Sequence, residues 1–141
     1  MKNVAFAVRG DVLLAVFGEG TPEDAEWEAY LAAYQTIPAG QAKVISFTRG
    51  GGPNSSQRMR LQEILQGRAQ RCAVITRSRI ARAIVSALAW FNPDVRAFAP
   101  ERLDDALGFL DTPVAARAEL LRRADELEAE LGEGAVRSWA S

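Results

Sequence analysis

The sequence predicts an α/β domain: an N-terminal strand pair, then strand and helix alternating three times, giving a mostly parallel sheet of about five strands, and a C-terminal helix. Three observations carry this. Short runs rich in valine, isoleucine and phenylalanine recur at 42–48, 72–76 and 95–98. Each is followed by apolar residues at helical spacing. Strand followed by helix, repeated, is the pattern of right-handed crossovers between parallel strands.

The elements follow in order. Asn3 to Val8 and Asp11 to Phe17 flank Gly10-Asp11 and read as a hairpin. Thr21-Pro22-Glu23-Asp24 opens a helix, with Thr21 as the cap and Pro22 at the first helical position. Trp27, Tyr30, Leu31 and Tyr34 recur at spacings of three and four, so this helix buries an aromatic stripe before Ile37-Pro38 ends it. Ala42 to Thr48 is a buried strand. The next helix turns Leu61, Ile64 and Leu65 inward and stops at Gly67. Cys72 to Thr76 is a strand and Ser78 to Trp90 a helix, with Ile80, Ile84, Ala87, Leu88 and Phe91 inward and Asn92-Pro93 as terminator. Val95 to Phe98 is the last strand. Pro100-Glu101 opens a short helix with Leu103, Leu107 and Leu110 inward. A final helix from about Thr112 to Leu131 carries the stripe Val114, Ala118, Leu121, Ala124 and Leu131, with Arg122, Arg123, Glu126, Glu128 and Glu130 facing water. The expected organisation is a domain over 1–111, an amphipathic helix over 112–131 and a tail over 132–141.

Composition narrows the function. The chain has 141 residues, 48% apolar and 25% charged, which suits one ordinary core. No apolar run approaches the roughly 20 residues of a membrane-spanning helix. The apolar part of the N-terminus stops at Arg9, too short for a secretory signal, so a cytoplasmic location is expected. A single cysteine, Cys72, leaves no disulfide or thiol pair, and its place in a strand makes it a packing residue. Histidine is absent, which removes the commonest general base and metal ligand; no metal and no cofactor are expected. The acids Asp104, Asp105 and Asp111 are explained by helix solvation.

Charge is uneven. The net is −1, yet residues 49–82 carry eight arginines (49, 58, 60, 68, 71, 77, 79 and 82) against one acid, Glu63. Within this block lies TRGGGPNSSQRMR, residues 48–60. In an open parallel sheet the loops after the strands and the helix N-termini beside them converge on one edge, where backbone N–H groups and the dipole favour anions. The candidate anion or partner site is therefore Arg49, Gly50, Gly51, Gly52, Asn54, Arg58, Arg77, Ser78, Arg79 and Arg82. An arginine in a first helical turn is unfavourable by roughly 0.3–1 kcal/mol, which a bound anion or acidic partner offsets. Ordinary loop chemistry explains the same residues: glycines and Pro-Asn follow a strand, and Asn54 or Ser55 caps a helix with Gln57 or Arg58 three residues on. The stretch is neither a Walker loop nor a dinucleotide fingerprint.

With these elements in place, residues 1–110 resemble the STAS family, the anti-sigma-factor antagonists and the cytoplasmic domains of sulfate transporters, and most nearly its divergent sporulation-antagonist-like members. The resemblance rests on element order and on Ser55 and Ser56, which stand where that family carries a phosphorylated serine or threonine at the start of the helix after the third strand. The acidic Asp-Ser-Ser-Gly usual there is replaced by Asn54-Ser55-Ser56-Gln57. The resemblance implies a non-catalytic regulatory module whose protein partner is an anti-sigma-type kinase or another regulator, switched by phosphorylation of Ser55 or Ser56.

Other readings stand beside it. A carrier or enzyme for a small anionic ligand (nucleotide, phosphate or acyl) would use the Gly50–Gly52 loop. Nucleic acid is not expected as a partner, because the arginines lack interleaved aromatics and the chain is acidic overall. A homodimer would pair the terminal helix through Val114, Leu121 and Leu131, a stripe that packing on its own sheet also explains. Trp90-Phe91 is either a docking knob or a buried helix end.

Overall fold

The computed structural model describes residues 2–38, 40–66, 70–88, 94–131 and 139. They form an α/β fold on one five-stranded mixed sheet. β1 (Val4–Arg9) and β2 (Val12–Phe17) make the antiparallel hairpin. β3 (Lys43–Thr48), β4 (Arg71–Ile75) and β5 (Val95–Phe98) are added in chain order, each parallel to the strand before it. The crossovers are α1 (Asp24–Tyr34), α2 (Ser55–Leu65) and α3 (Arg79–Leu88), and α4 (Leu103–Phe109) and α5 (Arg117–Glu130) follow β5. Parallel strands laid down in one direction carry right-handed crossovers to one face. The opposite face is left for α4 and α5.

Alternation along the strands separates two cores. Val4, Leu13, Ala15, Phe17 and Val44 meet Trp27, Tyr30 and Leu31 of α1, with Leu61 and Ile64 of α2 beside them. Ala5, Leu14, Val16, Ile45, Phe47, Ala73 and Ile75 meet Leu103, Leu107 and Leu110 around α4, Leu120, Ala124, Leu127 and Leu131 around α5, and Trp139. The predicted aromatic stripe is present: Trp27 stacks on Tyr30 at 4.6 Å, and Phe6 meets Tyr30 edge-on at 5.8 Å.

Three expectations are corrected, and one falls outside the described residues. The cap of α1 is Glu23, not Thr21. Glu26 reaches back to the Glu23 amide (3.0 Å) and also accepts from the amides of Asn3 (2.9 Å) and Val4 (3.4 Å), so the helix start is fixed by its tie to β1. α2 ends at Leu65 with Gln66 in the left-handed region, and Gly67 lies outside the described residues. The terminal helix does not run unbroken from Thr112: Asp111 has φ +53°, a 3-10 turn occupies Val114–Ala116, and α5 then starts in a new phase. Its buried stripe is Leu120, Ala124, Leu127 and Leu131, while Val114 and Ala118 are exposed and Glu128 is buried.

The third correction concerns α3. Ile80 and Ile84 were expected inside but are 75% and 58% exposed, and Ala87 is exposed with them. Two bonds set the rotation of this helix: the Ser78 hydroxyl accepts from the Ala81 amide at 3.1 Å, and Arg82 Nη1 donates to the Thr76 carbonyl at 2.7 Å. The half-buried side is therefore Ala81, Arg82 and Val85. Phe91 and Trp90 lie outside the described residues.

Two stability tests follow. Leu127→Ala is expected to cost about 2–5 kcal/mol in urea unfolding, whereas Ile84→Ala stays within about 0.5 kcal/mol. A large Ile84 effect would contradict the outward rotation of α3. For Glu26, burial raises the carboxyl pKa, but the hydrogen bonds from the Glu23, Asn3 and Val4 amides outweigh it and the net shift is downward from 4.5. A folded value below the unfolded one stabilises the protein above the unfolded pKa, and that contribution is lost as pH falls through the folded value. The stability of Glu26→Gln is expected to fall less steeply than that of the parent as pH drops below 4.5, measured by urea midpoints across an acid series.

Candidate functional site

The strands end level. Phe17 pairs with Thr48, Phe47 with Ile75, and Ile75 with Phe98, so the connections at 18–20, 49–54 and 76–78 lie along one carboxyl edge. This edge is where an open α/β sheet takes ligands.

The glycine loop is built from within. The Thr48 hydroxyl donates to the Gly51 carbonyl (2.7 Å) and accepts from the Gly50 amide (3.0 Å). The Gly51 amide donates to the Gly18 carbonyl at 2.9 Å. A Cβ on Gly51 would stand 2.2 Å from the Gly20 oxygen and 2.6 Å from that of Gly18, so only glycine permits the approach. Gly50, at φ +132°, is in backbone space that side chains disfavour. Two of the three glycine amides expected to cradle an anion are thus committed to tying the β3–α2 connection to the β2–α1 connection. Gly52 meets nothing within 4 Å of the position a Cβ would take.

Asn54 caps α2. Its Oδ1 accepts from the Gln57 amide (2.8 Å), and Gln57 Oε1 accepts from the Asn54 amide (3.0 Å), which is a reciprocal capping box. Gln57 is only 3% exposed, and its Nε2 donates to the Pro22 carbonyl (2.8 Å) and to Asp24 (3.1 Å), while its carbonyl accepts from Trp27 Nε1 (2.9 Å). The start of α2 is thereby fastened to α1. Ser55 and Ser56, the first two residues of α2, are exposed. Arg58 Nη2 donates to Ser55 Oγ at 3.0 Å, and its Nη1 to the Pro53 carbonyl at 2.8 Å.

The arginines divide. Arg49 turns inward onto Glu128, Nη2 to Oε1 at 2.8 Å, with side chains 13% and 8% exposed. Glu128 also accepts from Trp139 Nε1, and the Trp139 amide donates to Asp125 at 2.9 Å. The Trp139 ring lies against Phe47 at 5.2 Å, with the Arg77 guanidinium 4.5 Å above it. Arg71 is at the amino end of β4 and pairs with Asp111 (2.8 Å), on the opposite edge. Arg60 pairs with Glu28 and Glu63. Arg82 is held on the Thr76 carbonyl, and Ser78 is the cap of α3. Arg68 lies outside the described residues. The basic block accordingly does not make one surface: Arg58 and Arg79 are the two site arginines exposed at the carboxyl edge.

Sequence reasoning missed Glu128, Trp139, Thr48 and the bridging role of Gln57. Glu128 stands four residues after Ala124, on the side of α5 that the Leu120-Ala124-Leu127 stripe buries, a signal that a correctly phased helix exposes. Cys72 is half-buried; burial pushes its thiol up to about 11, a value for an inert packing residue. Among the described residues no group of three or more metal-ligating side chains occurs, and no helix is long and apolar enough to cross a membrane. No family model, no curated protein and no solved structure matches the chain.

The buried pair is testable. Glu128→Leu removes the carboxylate that Arg49 meets at 2.8 Å and is expected to cost about 3–5 kcal/mol, while Arg49→Met combined with Glu128→Leu recovers most of it. Urea unfolding of the four proteins of the cycle measures this, and additive losses would mean that the two side chains do not interact.

Proposed function

We propose that this chain is a non-catalytic regulatory module of the STAS-like kind. It binds an acidic protein partner or a phosphate-bearing ligand along the first turns of α2 and α3 and is switched by phosphorylation of Ser55 or Ser56. One observation supports this most: both hydroxyls are exposed in the first turn of α2, with Arg58 already on Ser55 Oγ at 3.0 Å. The capping box takes up the Asn54 and Gln57 side chains, so modification of either serine leaves the helix start intact.

The chemistry sets the direction of the switch. A phosphate on Ser55 or Ser56 gains from the helix dipole and pairs with Arg58. It thereby neutralises one of the exposed cations of the edge and adds negative charge there. An acidic partner is bound by the unmodified form and released by the phosphorylated one. A kinase that is also the partner, and a cytoplasmic setting, go with this reading.

The experiment is mass spectrometry of the protein purified from its native cells. Cleavage at arginine yields the peptide Gly50–Arg58, expected to carry one phosphate on Ser55 or Ser56 in a growth-dependent fraction. Finding only the bare peptide in growing, starved and stressed cells would defeat the switch.

A further inference from the structure

The solvent side of α3 is apolar. Ile80 and Ile84 are the most exposed large apolar residues of this helix, and Ala83 and Ala87 are exposed beside them. Positions 80, 83, 84 and 87 are one stripe of an α-helix, the arrangement by which a helix ordinarily enters a core. Here the helix is held the other way round by Ser78 and Arg82.

The charge carried by the helix itself has one sign: α3 contains Arg79 and Arg82 and no acid. From Ile64 to Pro93, thirty consecutive residues contain no aspartate or glutamate and five arginines. Exposed Arg79 adjoins Ile80 in the first turn of α3, and exposed Arg58 stands in the first turn of α2 on the same edge of the sheet. An occupant of this face is therefore apolar where the isoleucines meet it and negative where it meets Arg79.

Shape selects among such occupants. Arg79, Ile80, Ala83, Ile84, Ser86 and Ala87 are all exposed and span about 160° of the helix at 3.6 residues per turn, so α3 presents a convex ridge rather than a groove. A helix of ten residues is about 15 Å long. A stable protein interface needs about 800 Å² per partner with matched packing, more than a ridge of this length supplies. A lipid surface has no fixed shape to match. It accepts protruding apolar side chains at the headgroup boundary, and anionic headgroups attract nearby arginines. We propose that α3 docks the protein reversibly on an anionic membrane surface, with Ile80 and Ile84 entering the interface and Arg79 and Arg58 against the headgroups. The proposal does not rest on the serine switch.

The test is co-sedimentation of the full chain with vesicles of phosphatidylcholine alone and of phosphatidylcholine mixed equally with phosphatidylglycerol. Binding is expected to the mixed vesicles at low salt, to weaken several-fold as salt is raised, and to be several-fold lower on the neutral ones. Ile80→Asp with Ile84→Asp is expected to reduce binding by about tenfold or more, and Arg79→Glu to lower it on anionic vesicles only. These side chains are exposed, and an unchanged circular dichroism spectrum and melting midpoint verify that the variants fold. Should either variant fold poorly, the salt and lipid dependence of the parent still decides. Equal binding to both vesicle types, binding unaffected by the double substitution, or no binding would overturn the proposal. So would a dimer in solution that the double substitution dissolves without any vesicle binding, because a second copy would then be the occupant.

Discussion

Glu128 lies on α5 against Arg49, the residue that follows β3, with its side chain 8% exposed, and a carboxylate so buried is tolerable only if it is fully matched. It takes the Arg49 guanidinium on one oxygen and the Trp139 indole N–H on the other. This arrangement fixes more than one pair. It fastens α5 to the end of β3, and it draws Trp139 onto Phe47 and under Arg77. Two arginines that stand where an α/β sheet takes ligands are thereby engaged by the protein itself, Arg49 by Glu128 and Arg77 by the Trp139 ring. The exposed cationic character of the edge moves outward, to the first turns of α2 and α3.

The same edge is held on its other side by Gln57 and Gly51. Gln57 joins the cap of α2 to Pro22, Asp24 and Trp27, and Gly51 places the β3–α2 connection directly on Gly18 and Gly20. The backbone that a phosphate cradle needs free is therefore occupied in joining two connections. What remains outward is Ser55, Ser56 and Arg58 on a rigidly seated helix start. A rigid seat suits a chemical switch, because charge added there changes the surface without first ordering a loop.

α3 departs from the rest of its layer. α1 turns Trp27, Tyr30 and Leu31 to the sheet and α2 turns Leu61 and Ile64, whereas α3 turns Arg82 inward to a backbone carbonyl and its isoleucines out. An arginine satisfied by a carbonyl at a strand end is a local bond of short chain separation, and it overrides the amphipathic pattern here. The outcome joins an exposed apolar stripe to Arg79 on a helix that carries no acid.

The strands, the order of elements, a cap at Asn54 or Ser55 and the aromatic face of α1 were legible in the amino-acid sequence, because they depend on periods of two and 3.6 and on groups three or four residues apart. The proline, glycine and polar breaks bounded them well. The faces of α3 and α5 were not legible. The phase of α5 is reset by the bend at Asp111 and the turn at Val114–Ala116, and that of α3 by hydrogen bonds to residues before it. Whether an arginine points to solvent was decided by the tertiary structure alone. The carboxylate that holds Arg49 is 79 residues away and the ring under Arg77 is near the end of the chain, and a local pattern carries no record of partners that only folding brings within reach.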